Sequence, residues 1–108
     1  MTGIAENNPN TLAIIQARLG STRLPGKVLK KILGKTVLEH IIERLSYAKK
    51  IDQLIIATSS LSENDQIADL AKQKGISCFR GDEDDVLNRF YQAALQYKGD
   101  IVVRITGD

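Results

Sequence analysis

The stretch TLAIIQARLGSTRLPGK, residues 11–27, carries most of the information about the fold. Its first six residues, TLAIIQ, form a short and almost continuously apolar run, which predicts a strand buried on both faces of a parallel sheet. The next eleven residues combine glycines with Arg18, Arg23 and Lys27 and contain no acid. Glycines let a backbone approach a ligand closely and cations attract anions, so this loop predicts an anion-binding segment directly after a buried strand.

Length and composition limit the class of protein to which this chain can belong. A chain of 108 residues with 43% apolar and 26% charged residues fits one globular domain. A single Cys excludes an internally disulfide-bonded scaffold, and the first ten residues lack the pattern of a signal peptide. No apolar run approaches the roughly 20 residues that span a bilayer. The net charge of +2 is too small for a general nucleic-acid binder. We therefore expect a cytoplasmic domain with neither nucleic acid nor a membrane as partner.

Strand and helix patterns alternate along the chain. Apolar runs predict further strands at residues 53–58, 76–80 and 100–106, with one helix in each interval. Right-handed crossovers turn this βαβαβαβ order into a three-layer α/β sandwich with a mainly parallel sheet. Residues 1–10 are polar and without periodicity, which predicts a disordered leader before a folded part at 11–108.

Capping patterns locate the helices. Thr36 and Glu39 form a capping box that begins the first helix, and residues 62–65 predict a second capping box. The third helix is predicted over residues 83–97, where the acids at its start complement the helix dipole. Its predicted inward face carries six apolar or aromatic residues: Val86, Leu87, Phe90, Tyr91, Ala94 and Leu95.

Ligands of open parallel sheets bind at the carboxyl ends of the strands. The loop after Gln16, the segment 80–85 and the chain at 106–108 are therefore expected to meet at one edge. A P-loop is not supported there, because Gly20 and Gly26 are separated by five residues rather than four. Val28 also replaces the Ser or Thr that would hold Mg²⁺.

Residues 17–27 instead match the signature A-R-x-G-S-x-R-x-P-x-K of sugar-activating cytidylyltransferases, which make CMP-linked sialic-type and ketodeoxyoctonate sugars. The chain most resembles the branch of spore coat polysaccharide biosynthesis cytidylyltransferases. The segments 37–40, 79–87 and 103–108 add support, so the resemblance covers about residues 11–108. It implies a Rossmann-like sandwich of the nucleotide-diphospho-sugar transferase type. It also implies that this chain is the N-terminal, nucleotide-binding part of a longer domain.

The resemblance implies transfer of CMP from CTP to a sugar or sugar acid with release of pyrophosphate, by an Mg²⁺-dependent enzyme that is a homodimer at full length. The 108-residue part alone is expected to be inactive as a transferase. Arg18 and Lys27 would act on the triphosphate as catalytic residues, and Asp108 would bind the metal. The remaining nucleotide-binding residues implied are Ala17, Gly20, Ser21, Arg23 and Arg80.

Several alternatives stay open at this stage. Arg80 either contacts cytosine or pairs with the acids that follow it, and Arg104 either pairs with a buried acid or faces the site. A noncatalytic binding or assembly module with the same fold is the second functional hypothesis. The third hypothesis is a nucleotidyltransferase that uses a different nucleoside triphosphate, because no residue of this chain is identified from the sequence as an unambiguous cytosine contact.

Overall fold

The computed structural model describes residues 9–20 and 26–106. Asn10 belongs to this folded part, although it was predicted to end the leader. Its backbone N–H donates to Asp100 Oδ2 at 2.8 Å, and its side-chain amide donates to the carbonyl of Tyr97 at 3.1 Å. Residues 1–8 of the predicted leader lie outside the described residues.

The sheet has four strands, β1 (Thr11–Gln16), β4 (Gln53–Ser59), β5 (Ser77–Gly81) and β6 (Ile101–Thr106). All four are parallel, and they lie in the order β5–β4–β1–β6. β1 pairs on both sides, and five of its six residues are buried, as its continuous apolar run predicts. The mainly parallel α/β architecture is therefore confirmed.

Helices cover both faces of this sheet. Their bounds are α1 (Val37–Ser46), α2 (Asp65–Gln73) and α3 (Val86–Gln96). Ile15 and Ala17 point to the face that α1 and α2 cover, whereas Leu12 and Ile14 point to the face of α3. The alternation of side chains along β1 thus divides the core into two halves and produces the predicted three layers.

The capping box at the start of α1 is confirmed. Glu39 N–H donates to Thr36 Oγ1 at 3.0 Å, and Thr36 N–H donates to Glu39 Oε1 at 2.9 Å. The backbone hydrogen bond from Thr36 is the main cause that lowers the pKa of Glu39 to about 2, and an ion pair with Lys74 adds to it.

A small hairpin precedes α1 that the sequence patterns did not predict. β2 (Lys31–Ile32) and β3 (Lys35–Thr36) pair antiparallel across a two-residue turn at Leu33 and Gly34. Both turn residues have positive φ, 55° and 83°, as a type I′ turn requires. Glycine adopts this conformation readily, but leucine is an unusual first residue, so the turn lacks the usual Asn-Gly or Asp-Gly signal.

The predicted second capping box is wrong. Residues 62–64 form a short 3₁₀ turn, and α2 begins at Asp65 after Asn64, whose side chain makes no capping bond. Ser62 begins the 3₁₀ turn instead of capping a helix, and the fully buried Asn64 amide bonds to Leu19 and Ser59 rather than to the first turn of α2.

The predicted third helix begins later than expected, and its predicted apolar face is confirmed only in part. It starts at Val86, because Asp85 is its N-cap and accepts a hydrogen bond from the Asn88 N–H at 3.0 Å. Arg89 and Ala93 are the buried residues of α3. Of the predicted apolar face, Phe90 and Ala94 pack against the core. Three other members are exposed, by 73%, 57% and 55%: Leu87, Tyr91 and Leu95.

Candidate functional site

The carboxyl ends of β1, β4 and β6 meet at one edge of the sheet. Gln16, the last residue of β1, lies opposite Ala57 of β4 on one side and Thr106 of β6 on the other. The anion-binding loop predicted from the sequence therefore leaves the sheet between two neighbouring strand ends, where open α/β sheets bind ligands.

Arg18 is fixed at the start of this loop by an acidic side chain. Its Nη1 donates to Glu83 Oε2 at 2.8 Å and to the carbonyl of Gly20 at 3.3 Å. About a third of the Arg18 side chain remains exposed. Among the described residues only Nη1 of Arg18 is engaged, so within this part of the chain its other guanidinium nitrogens could still donate to an anion.

Glu83 is a site residue that the sequence patterns did not reveal. It belongs to the acidic run assigned to the helix dipole, yet α3 begins three residues later. Burial alone would raise the pKa of Glu83, but hydrogen bonds from Ser59 and Arg18 outweigh it and hold the pKa below its ordinary value. Glu83 is therefore charged at neutral pH. No local pattern distinguishes it from its acidic neighbours.

A buried amide ties the base of the loop to the sheet edge. Asn64 Oδ1 accepts from the Leu19 N–H at 2.8 Å, and Asn64 Nδ2 donates to Ser59 Oγ and, at 3.4 Å, to Glu83 Oε1. Gly26 N–H in turn donates to the Leu19 carbonyl at 3.0 Å. Both backbone groups of Leu19 are thus used to hold the two ends of the loop together.

The far end of the loop is anchored in the core. Gly26 has a φ of +75°, a conformation that other residues rarely adopt. A 3₁₀ turn follows at Lys27–Leu29, with Val28 completely buried. The backbone of Lys27 thus lies beside the loop base, while its side chain is not among the described parts. Three more predicted site residues lie outside the described residues: Ser21, Arg23 and Asp108.

A cavity of about 170 Å³ lies beside the loop, on the face of the sheet that α3 covers. Gln16 and Arg89 are its most buried polar residues, and the sequence patterns assigned a role to neither. Arg104 contributes to the wall, so of the two alternatives for this residue the structure favours the one in which it faces the site. The full lining is Gln16, Ala17, Arg18, Val86, Arg89, Arg104 and Thr106.

Arg80 lies apart from this cavity, on the edge strand β5. Its Nε donates to the Ser59 carbonyl at 2.9 Å, its Nη1 to Asp65 Oδ1 at 2.8 Å, and its Nη2 to the Leu61 carbonyl at 2.9 Å. Its acidic partner thus precedes it in the chain, whereas the sequence suggested the acids that follow. In this arrangement Arg80 joins β5 to the turn before α2.

The remaining surface features carry none of the predicted site residues. A larger groove of about 760 Å³ runs between the exposed side of α1 and Ile105 of β6, and its lining is mainly apolar. No described group of three or more His, Cys, Asp or Glu residues is arranged to hold a metal ion. Among the helices described, none is long and apolar enough to cross a membrane.

Comparisons with known proteins agree with this geometry. A sequence model described as cytidylyltransferase matches residues 12–108. The spore coat polysaccharide biosynthesis protein SpsF of Bacillus subtilis is 41% identical over 101 residues, which cover 90% of this chain and 42% of that protein. The chain spans about two fifths of the length of the curated relatives it matches.

Two solved structures share the fold. A cytidylyltransferase from Leptospira borgpetersenii superposes with a TM-score of 0.88 at 39% identity, covering 94% of this chain and 42% of that one. A CMP:2-keto-3-deoxy-manno-octonic acid synthetase complexed with CTP gives a TM-score of 0.77 at 27% identity, covering 92% and 40% respectively. The cytidylyltransferase model matches residues 12–108, and the family signature lies in the segment that follows β1. This chain therefore belongs to the cytidylyltransferase family.

Proposed function

We propose that this chain is the nucleotide-binding part of an enzyme that transfers CMP from CTP to a sugar or sugar acid and releases pyrophosphate. The observation that carries the proposal is the loop after β1, which presents a held arginine beside a cavity at the carboxyl edge of the sheet. The relatives support the same reaction class. One solved neighbour is described as complexed with CTP, and one curated relative as a polysaccharide biosynthesis protein.

The reaction makes and breaks one bond at phosphorus. A hydroxyl oxygen of the sugar bonds to the α-phosphorus of CTP and loses its proton, while the bond from that phosphorus to the bridging oxygen breaks. Pyrophosphate leaves with the electron pair. Because charge spreads over the phosphate oxygens, the protein contributes mainly positioning and electrostatic stabilisation.

Different residues of the loop would contact different parts of the nucleotide. Arg18, held by Glu83, would bind the triphosphate with its remaining N–H groups, and Lys27 would bind it from the other end of the loop. The base-contacting role of Arg80 stays part of the proposal. The other nucleotide contacts would come from Ala17, Gly20, Ser21 and Arg23.

Mg²⁺ is the proposed cofactor. Thr106 ends β6 directly beside Gln16, so Asp108 follows two residues after a strand end at the proposed site. A carboxylate is the hard oxygen ligand that Mg²⁺ prefers, usually together with substrate phosphates. Bound there with CTP, the ion would neutralise charge on the triphosphate. Asp108 is therefore the residue of this chain that we propose as its ligand.

Calorimetric titration with CTP and Mg²⁺ tests the proposal on this chain. Arg18→Ala and Lys27→Ala should each weaken CTP binding by about 10- to 100-fold, because each removes a charge-assisted hydrogen bond to phosphate. Lys31→Ala is the matched control, since Lys31 is an exposed cation of the same basic stretch. Absence of CTP binding, or losses no larger than that of the control, would refute the assignment.

A further inference from the structure

The carboxylate of Glu83 lies at the base of the anion-binding loop, where its charge opposes that of a phosphate. Its Oε2 accepts from Arg18 Nη1 at 2.8 Å, and only 17% of the Glu83 side chain is exposed. So close to Arg18, a negative charge would weaken the binding of an anion if it did nothing more. Glu83 must therefore contribute something to the site that outweighs this repulsion.

Glu83 is held in place without the help of Arg18. Its Oε1 lies 3.4 Å from Nδ2 of the fully buried Asn64, and its carboxylate also accepts a hydrogen bond from Ser59. The backbone carbonyl of the same residue accepts from Arg89 Nη1 at 3.2 Å. Oε1 thus faces the sheet edge, while Oε2 faces Arg18. Glu83 is therefore the fixed member of the ion pair, and Arg18 is the member that it orients.

Gly20 leaves the space that this ion pair occupies. A Cβ at position 20 would lie 3.3 Å from Glu83 Oε2 and 3.6 Å from Arg18 Nη1, and the Gly20 carbonyl accepts from the same Nη1 at 3.3 Å. A second carboxylate approaches the same point, because Glu63 Oε1 would lie 3.2 Å from that Cβ. A larger residue at position 20 would therefore crowd the contact between Glu83 and Arg18.

Arg18 shares the wall of the cavity of about 170 Å³ with two other cations, Arg89 and Arg104. Burial is the main cause that lowers the pKa of Arg89; the charge of Glu83 opposes this shift, and the like charge of Arg18 adds to it. Neither Arg89 Nε nor Gln16 Nε2 has an acceptor among the described residues. Without a counter-charge, the guanidinium groups on this wall would repel one another. Glu83 supplies a counter-charge before any anion is bound.

We propose that Glu83 is a positioning residue for nucleotide binding, which holds the guanidinium of Arg18 in the orientation that meets the triphosphate. The inference rests on the proposed nucleotide-binding function. An arginine that is already ordered loses less side-chain entropy when the anion binds, so Glu83 strengthens the binding of CTP although it carries a charge of the same sign. This effect acts through Arg18 alone and must therefore disappear when the Arg18 side chain is removed.

A double-mutant cycle on CTP affinity, measured calorimetrically with Mg²⁺, tests this dependence. Glu83→Gln removes the charge in nearly the same shape and should weaken CTP binding by about fivefold or more in the parent chain. In the Arg18→Ala background the same substitution should leave the affinity equal or higher. Glu63→Gln is the matched control, because it removes the same charge beside Gly20, and Glu63 makes no ion pair with Arg18 in the described part of the chain. This control should leave CTP binding equal or tighter.

The outcomes separate this inference from the proposed function. If the unmodified chain does not bind CTP, or binds it equally well after Arg18→Ala, the proposed function fails and the inference fails with it. Otherwise three results would overturn the inference alone: unchanged or tighter binding in Glu83→Gln, a loss of the same size with and without Arg18, or an equal loss in Glu63→Gln. The second is what a merely structural role of Glu83 would produce, since that role does not depend on Arg18.

The guanidinium resonances of Arg18 provide a measurement that needs no substitution at position 83, so it decides the case even if Glu83→Gln does not fold. Because Glu83 accepts from Nη1, restricted rotation should give separate Nη1 and Nη2 signals. We expect both signals in the free chain and in its complex with CTP and Mg²⁺. A single averaged signal in either state would show that Glu83 does not hold Arg18, which contradicts the inference.

Discussion

Replacing Asn64, the last residue of the 3₁₀ turn before α2, by alanine should destabilise this chain by about 3–4 kcal/mol. The substitution removes the acceptor of the Leu19 N–H, 2.8 Å away, and the donor to Ser59 Oγ, in a position with no solvent exposure. Each lost hydrogen bond costs about 1 kcal/mol, and the stranded Leu19 N–H adds about 1–2 kcal/mol. Ser59 Oγ keeps a bond from the Leu61 N–H, so it adds no further penalty.

Urea denaturation followed by circular dichroism measures the effect. The control is Asn88→Ala, because the Asn88 side chain is exposed and its cap bond comes from the backbone N–H, which alanine retains. We expect that variant to stay within about 0.5 kcal/mol of the parent chain. A loss in Asn64→Ala no larger than in Asn88→Ala would contradict the claim that Asn64 anchors the loop.

An aspartate at position 64 probes the same site through its charge. Asn64→Asp keeps the acceptor for the Leu19 N–H but sets a buried carboxylate near Glu83, whose Oε1 is 3.4 Å from the present amide nitrogen. Burial and the neighbouring charge would raise the folded-state pKa of the new carboxyl above its unfolded value. The destabilisation should therefore be full at neutral pH and shrink as the pH falls through that raised pKa. A penalty independent of pH would argue against the contact between residue 64 and Glu83.

Two further outcomes follow from packing and from capping. Gly99→Ala should cost about 1–3 kcal/mol, because a Cβ there would lie 2.6 Å from Leu12 Cδ1, and the cost should fall when Leu12→Ala is already present. A double-mutant cycle by urea denaturation measures this, and additive losses would contradict it. Glu39 has a pKa of about 2 in the folded chain and an ordinary value of 4.5, so its capping stabilises the fold above pH 4.5 and is lost as the pH falls to about 2. Glu39→Gln should flatten the stability profile in that window, and an unchanged profile would refute the assignment.

The strands and the capped start of α1 were readable from the sequence because their signals are local. β1 is indicated by six nearly continuous apolar residues, and the Thr36–Glu39 box needs only residues three apart. The face of α3 was predicted correctly only in part, for the opposite reason. Periodicity shows that a helix has an apolar side, but which side meets the sheet depends on partners that are distant in sequence.

The residues of the candidate site fall into the same two groups: those that a local pattern indicates and those that no local pattern indicates. Arg18 and the loop were identified because glycines and cations stand together directly after a buried strand. Glu83 and Asn64 were not, since each acts on a segment tens of residues away through one hydrogen bond. Gln16 was counted only as the end of an apolar strand, whereas its buried side-chain oxygen accepts a hydrogen bond from Arg89, 73 residues later in the chain.

The sequence by itself therefore determined the alternating α/β order, the buried first strand and the loop of glycines and cations that carries the family signature. These depend on composition and spacing within about twenty residues. Only the tertiary structure decided that an acidic residue holds Arg18, that an amide closes the base of the loop, and that two donors without acceptors among the described residues line the cavity next to it. Hydrogen bonds between distant segments form only once parallel strands bring their carboxyl ends together, so no local pattern encodes them.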